Sequence, residues 1–249
     1  MAQKSSVEIV IPIYNEEKEL EENIKKLHSF LEKKIKNYNW QITIVDNAST
    51  DKSLAIAQKL GKTLKNTKTM HLPQKGRGRA VKAAWEKSNA EILAYMDVDL
   101  STDLNNFPTL LETLTNGYDI AIGSRLLSQS HVEKRPVKRE VLSRGYNIII
   151  KLFFGVHFSD AQCGFKAVTH NVVKKLIPHI KDNGWFFDSE LLIVGEKTGF
   201  RIAELPVVWV DNPGSTVRVL KTVYGDLKGL TRLFIDRPWE KIKSKELIS

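Results

Sequence analysis

The sequence predicts a single α/β domain built on a mainly parallel sheet flanked by helices, and three observations predict it. Apolar β-branched runs alternate with stretches of helical spacing from Val7 to Arg125, the signature of strand-helix-strand units. Each run ends on polar or charged residues, as strands do when a ligand binds at their carboxyl edge. A chain of 249 residues can also bury one substantial core.

The elements follow in order. "VEIVIPIYN" (Val7 to Asn15) reads as a first strand, and Leu20, Ile24, Leu27, Leu31 and Ile35 then mark one face of an amphipathic helix. "WQITIVDNASTDKS" repeats the plan, with a strand ending at Asp46 and Ser49 or Thr50 placed to cap a helix through Leu60. "TKTMHL" is a third strand. "KGRGRAVKAAWEKS" supplies a glycine-basic turn opening a helix, "EILAYMD" a fourth strand, Leu104 to Leu114 a helix and "YDIAIGSR" a fifth strand. Beyond Arg125 the rhythm breaks into "LLSQSHVEKRPVKRE", read as a mobile flap ahead of a surface helix reaching Phe154. "DAQCGFKAV", a helix around Val172 to Ile177, "WFFDSELLIVGEKTGF", the strand "RIAELPVVWV" and a last helix through Phe234 complete the chain, with Lys241 to Ser249 expected to fray.

Composition narrows the class. Hydrophobic content of 42% and charged content of 27% suit an ordinary globular domain, not a disordered chain. The single cysteine, Cys163, excludes an internal disulfide and a cysteine-built zinc site, and the polar start running into Val7 to Ile13 is no signal peptide, so a reducing cytosol is expected. "YNIIIKLFFGVHF" (Tyr146 to Phe158) carries Lys151 and falls short of the roughly 20 apolar residues needed to span a bilayer. A formal net charge of +9 predicts attraction to polyanions, either a solvated basic surface or an anionic partner.

The strand ends gather Tyr14, Asn15 and Glu16; Asp46 and Asn47; Lys75 to Arg79; Asp97 and Asp99; and Ser124 and Arg125. Asp97 and Asp99 flank Val98, so an extended backbone turns both carboxylates to one side. Two adjacent acids repel unless a cation sits between them, and Mg2+ or Mn2+ commonly takes one or two carboxylates and fills its shell with water and phosphate oxygens. In "QKGRGRA", Gly76 and Gly78 permit close backbone approach while Lys75, Arg77 and Arg79 bring positive charge to a helix N-terminus, an arrangement suited to phosphate.

Taken together, "VIPIYNEE", "IVDNASTD", "GRGRAVKAAW", "MDVDLSTD", "IGSR", "SRGYN", "DAQCGFKAV" and "FDSELL" resemble, in order and spacing, the glycosyltransferases of family 2 with the GT-A fold. Within that family the chain is similar to the polyprenyl-phosphate sugar synthases, namely the dolichyl-phosphate glucosyltransferases and mannosyltransferases. The resemblance covers about residues 7 to 235. It implies one GT-A domain over 1-249, with a nucleotide-sugar-binding half at 7-125, an acceptor- and membrane-facing half at 126-240, and amphipathic membrane-facing helices near the C-terminus.

The implied reaction is inverting, metal-dependent transfer of one sugar from a nucleotide-sugar, UDP-glucose foremost, to dolichyl or another polyprenyl phosphate. GDP-mannose and UDP-GlcNAc are the alternative donors. By this resemblance Pro12, Tyr14, Glu16, Val45, Asp46, Asn47 and Arg79 hold the nucleotide, Asp97, Val98 and Asp99 the metal and diphosphate, and Arg125 and Arg218 the donor phosphates. Asn47 stands where relatives carry an acid and Asn212 where the mannosyl group carries arginine, which leaves base and sugar open. Asp160 and Asp188 are the candidate catalytic or acceptor-organising carboxylates, Asp160 the favoured one, with Arg125 at the leaving group.

Lys134, Arg135, Lys138, Arg139 and Arg144 precede the apolar Tyr146 to Phe158 segment, a pairing suited to a lipid-borne phosphate at an anionic surface, with Lys138, Arg139 and Arg144 the candidate acceptor residues. Peripheral attachment to the cytoplasmic face of a membrane is expected, with an anchoring partner or a second copy of the chain as further partners. A sugar nucleotidyltransferase also combines a metal, acids and a nucleotide, but its glycine-rich basic signature after the first strand is replaced here by "YNEEKEL". A nucleic-acid-binding module would spread charge and stacking aromatics over an open face, whereas this chain concentrates acids at strand ends; no nucleic-acid partner is expected.

Overall fold

The computed structural model describes residues 4-211 and 219-246. Its first half follows the strand-helix alternation. β1 (Ser6–Ile13), α1 (Leu20–Lys34), β2 (Asn39–Asn47), α2 (Ser53–Thr63), β3 (Thr67–Leu72), α3 (Arg77–Glu86), β4 (Ile92–Met96), α4 (Phe107–Thr115) and β5 (Ile120–Ser124) succeed one another, with a 3-10 turn over Leu104–Asn106 leading into α4. The second half comprises β6 (His131–Glu133), α5 (Val137–Phe154), β7 (Phe165–Thr169), α6 (His170–Leu176), α7 (Phe187–Lys197), β8 (Ile202–Pro206), β9 (Val208–Val210), α8 (Val219–Asp236) and α9 (Pro238–Glu246).

Seven strands form one sheet in the order β3-β2-β1-β4-β7-β5-β8. All neighbours run parallel except β7, which lies antiparallel between β4 and β5. Helices cover both faces because the strands are apolar on both sides. Val10, Val45 and Tyr95 pack toward α3 and α7, whereas Ile9, Ile11, Ile44 and Met96 pack toward α1, α2 and α4. Strands buried on both faces read as continuous hydrophobic runs, which is why β1, β2 and β4 are legible.

Several expectations are corrected. Ser49 and Thr50 do not cap α2, whose N-cap is Lys52 without a side-chain bond. Instead Ser49 Oγ accepts from the Asn15 amide at 3.0 Å and the Thr50 amide donates to Asn15 Oδ1 at 2.8 Å, tying the first two strand ends together. "RIAELPVVWV" is two strands, because Val207 leaves the main sheet and β9 pairs in parallel with β6. The flap is therefore anchored at His131–Glu133. The C-terminal stretch expected to fray forms α9 to Glu246. No helix among the described residues is long and apolar enough to cross a membrane.

Candidate active site

β1, β2 and β4 end side by side, so their carboxyl ends bring Tyr14 and Glu16, Asp46 and Asn47, and Asp97 and Asp99 to one rim. Asn15 and Leu100 adopt left-handed backbone, at φ 57° and 49°. For Asn15 this is an accessible turn conformation. For leucine it is costly and is the kind of local strain that clusters at functional sites.

Directly after β4, Asp97 and Asp99 line a small cavity of about 10 Å³ with Ser101, Gly164 and Trp209. The Asp99 side chain accepts from the Ser101 amide at 3.0 Å. Burial first, and then the charge of Asp97, raise its carboxyl above the usual range. Glu16 is pushed up to about 7 by burial and by Glu19, Asp99, Asp51 and Asp97. Glu16, Asp97 and Asp99 thus cluster carboxylates that repel one another on this side of the rim. No cluster of three metal-ligating side chains occurs among the described residues. Two oxygen donors in a negative field fit Mg2+ or Mn2+ whose remaining ligands are water and diphosphate.

Arg77, at the start of α3, crosses from this edge to the core. Its Nε and Nη2 donate to Asp97 Oδ1 at 3.1 and 2.7 Å, and its Nη1 donates to Asp188. Asp188 also accepts from Tyr95 Oη and, at 2.5 Å, from Lys166 Nζ. Burial pushes Asp188 up to about 6 and Lys166 well down, both toward the uncharged form that a low-dielectric interior favours. Asp188 is 1% exposed and both its oxygens are bonded, so its carboxyl braces Arg77 from the core side.

Asp160 is likewise enclosed. Its Oδ2 accepts from the amide and Nε of Arg125, at 3.0 and 2.8 Å, and its Oδ1 from Arg125 Nη2 at 2.8 Å and the Gln162 amide at 3.2 Å. Although burial opposes ionisation, the Arg125 cation and these bonds hold Asp160 down at about 2. Arg125 also lies against the Trp209 ring, 4.9 Å from its centroid. Asp160 thus fixes Arg125 beside the cavity that Asp97 and Asp99 line.

Among the nucleotide residues, Asp46 is fully buried, with Oδ2 2.8 Å from His71 Nδ1 and Oδ1 without a partner among the described residues. Asn47 is 3% exposed and its Oδ1 is also unpartnered there. Pro12, Tyr14 and Glu16 are half-buried, and Lys75 Nζ sits 3.3 Å above the Tyr14 ring. The Val45 side chain, by contrast, lies in the core beside Val10 and Trp85, away from the rim. Val98 is 6% exposed. Arg79 donates its amide to the Asn183 carbonyl at 3.1 Å, and its Nε is buried without a partner among the described residues. Arg218 and Asn212 lie outside the described residues.

On the acceptor side, Arg139 pairs with Asp211 at 3.0 Å, Arg144 with Glu140 at 2.7 Å, and Lys138 is exposed. Arg135 is half-buried within the flap, and its Nη1 lies 3.2 Å from Glu140. Burial and the neighbouring Arg125 cation lower its pKa. Sequence reasoning passed over His71. His71 had a signal, because it sits one residue before the end of β3 and pairs in register with Asp46.

A mainly parallel sheet with one antiparallel strand and paired acids after the fourth strand defines a GT-A glycosyltransferase domain. The fold is shared with glucosyl-3-phosphoglycerate synthase from Mycobacterium tuberculosis, solved with Mn2+ and UDP-glucose (TM-score 0.67, 16% identity, 91% of this chain and 79% of that one). Mannosyl-3-phosphoglycerate synthase from Rubrobacter xylanophilus is similarly close in fold (TM-score 0.69, 15% identity, 93% and 75%). The model of glycosyl transferase family 2 matches residues 8–177, and the chain belongs to that family.

Two curated relatives are similar in sequence. Glycosyltransferase AglD from Haloferax volcanii is 33% identical over 221 residues, covering 88% of this chain and 35% of AglD. Dolichyl-phosphate beta-glucosyltransferase ALG5A from Trichomonas vaginalis is 32% identical over 221 residues, covering 85% and 68%. The chain thus spans about a third of the first and two thirds of the second.

Proposed function

We propose that this chain transfers a single glucose from UDP-glucose to dolichyl or a related polyprenyl phosphate, with inversion and with Mg2+ or Mn2+. The observation that carries the reading is the meeting at one cavity of Asp97 and Asp99 with Trp209, which backs the Arg125 that Asp160 locks in place. Cleavage of the sugar C1–O bond places negative charge on the departing diphosphate, which needs neutralising. Asp97 and Asp99 would hold the cation, which would supply that neutralisation. Arg125 adds a cation whose orientation is fixed before substrate arrives, so little reorganisation is needed in the transition state.

The acceptor needs little help to become a nucleophile. A phosphate monoester with a second pKa near ~6 is mostly dianionic at neutral pH. Asp160 and Asp188 therefore serve as positioning residues for Arg125 and Arg77, which agrees with their burial and saturation by donors. With His71 on Asp46 Oδ2, one carboxylate oxygen remains to accept. That suits the single imide N–H of uracil better than the two adjacent donors of guanine.

For the lipid side, α5 exposes Val141, Ile148, Leu152 and Phe153, and α8 exposes Tyr224, Leu227 and Ile235. The two helices meet through Phe153 and Phe234, whose ring centroids are 6.1 Å apart. An apolar face flanked by Lys138 and Arg144 suits adsorption to an anionic leaflet at the cytoplasmic face, where Lys138, Arg139 and Arg144 would receive the acceptor phosphate. An anchoring partner or a second copy of the chain fits the same face. Calorimetric binding of UDP and GDP with Mn2+ tests the donor half: UDP should bind more tightly, and preference for GDP would overturn the uridine assignment.

A further inference from the structure

From Asp182 into the first turn of α7 the chain reads "DNGWFFDSE", and its three aromatics part company. Phe186 and Phe187 are buried, at 2% and 0% exposure, whereas Trp185 is 46% exposed. An indole held out just ahead of two anchored phenylalanines calls for a reason, since tryptophan carries one of the largest apolar surfaces.

The loop presenting it is pinned at several points. Gly78 and Arg79 donate their amides to the carbonyls of Gly184 and Asn183, each at 3.1 Å. Asp182 Oδ1 accepts from the amides of Gly184 and Phe187, at 2.7 and 3.1 Å. Glu190, itself gripped by Arg232 at 2.8 Å, accepts from the amides of Lys181 and Asp182. Gly78 packs so closely on Phe187 that any side chain there would collide with it. These contacts fix the backbone that carries the exposed ring.

Its position is set by Arg77, whose guanidinium carbon lies 5.1 Å from the Trp185 ring centroid and 5.0 Å from that of Tyr95. The same guanidinium holds Asp97 Oδ1 at 2.7 Å. Trp185 is thus one guanidinium away from Asp97, with the Arg77 cation against its ring and nearly half of its surface exposed. A sugar leaving a diphosphate at Asp97 and Asp99 projects into these surroundings.

We propose that Trp185 is the platform for the transferred hexose of the donor, its indole face lying against the C–H face of a glucose-type pyranose. The inference rests on the donor reading above and adds to it a side chain that would hold the transferred sugar. Equatorial hydroxyls leave axial C–H groups on the pyranose faces, and these weakly positive hydrogens meet the electron-rich face of the indole. A rigid aromatic also loses little conformational freedom on binding.

Calorimetry with Mn2+ tests this by comparing UDP with UDP-glucose on the wild type, Trp185→Phe and Trp185→Ala. UDP affinity should stay within twofold throughout, while UDP-glucose affinity should fall about tenfold in Trp185→Ala and about threefold in Trp185→Phe, the scale of one aromatic contact. Saturation transferred from the protein to the glucose ring protons should be strong in the wild type and weak in Trp185→Ala. Equal UDP-glucose affinity in all three proteins overturns the proposal. So does a parallel loss of UDP affinity, or a defect confined to acceptor KM, which would assign Trp185 to the lipid chain. A wild type that binds UDP but gains nothing from the glucose overturns this inference alone, and one that binds neither overturns the donor reading with it.

Discussion

Asp160 grips Arg125 through its main chain and side chain together, taking the amide at 3.0 Å and the guanidinium nitrogens Nε and Nη2 at 2.8 Å each. A fully buried carboxylate committed to one cation is a positioning device. Asp160→Asn removes the charge that orients Arg125 and leaves a buried cation uncompensated. Transfer should fall about 100-fold in kcat, as for one misplaced electrostatic stabiliser. Stability should fall by about 3 kcal/mol in urea. A variant with normal kcat would detach Asp160 from the reaction.

Asp188 and Asp99 should behave in opposite ways on folding. Asp188→Ala strands Arg77 and Lys166 in the core, so a loss of about 3–5 kcal/mol is expected from denaturant melts. Asp99 instead faces Asp97, and its raised carboxyl pKa means that its charge opposes folding at neutral pH. Asp99→Asn should leave metal-free stability equal or higher while abolishing transfer. Mn2+ should raise the Tm of the wild type but not of this variant, by mass action on the folded state.

Glu16 gives a pH signature. Its carboxyl rises from 4.5 to about 7 in the folded chain. A raised value means that the folded state holds the proton more tightly, so this contribution is complete below about 4.5 and is lost as pH rises through about 7. Metal-free Tm should therefore decline between pH 5 and pH 8, and Glu16→Gln should make the decline shallower. Asp226, pushed up to about 7 by burial, leaves a residual slope of the same sign in that variant. An unchanged slope would contradict the clustered charge at this rim.

The exposed face of α5 predicts lipid adsorption. Replacing Ile148, Leu152 and Phe153 by Ser removes three exposed apolar side chains without opening the core. Cosedimentation with vesicles containing anionic lipid should drop severalfold while UDP affinity stays constant. Full retention on vesicles would place the membrane contact elsewhere.

Much of this architecture is legible in the sequence where one physical signal dominates. β4 and β5 are buried along their whole length and β1 and β2 over most of theirs, with largely apolar sequences, and α1 carries a buried stripe from Leu20 to Leu31. β7 is hidden because "FKAVT" contains Lys166, whose charge disguises a central strand until Asp188 is brought beside it from α7. The rim acids are readable as a pattern, since strand ends declare them. Their partners are not: Arg77 to Asp188 and Arg125 to Asp160 span 111 and 35 residues, and such pairings depend on the tertiary fold. Val45 shows the converse limit, because the residue before a rim acid points to the opposite face of its strand and enters the core.

Sugar transfer itself tests the central claim most directly. Purified protein, dolichyl phosphate in mixed micelles and labelled UDP-glucose should yield a labelled lipid phosphate sugar with Mg2+ or Mn2+. No such product should form with chelator or with Asp99→Asn, and GDP-mannose and UDP-GlcNAc should be poorer donors. Failure to form a metal-dependent lipid product from any of these three donors would contradict the account.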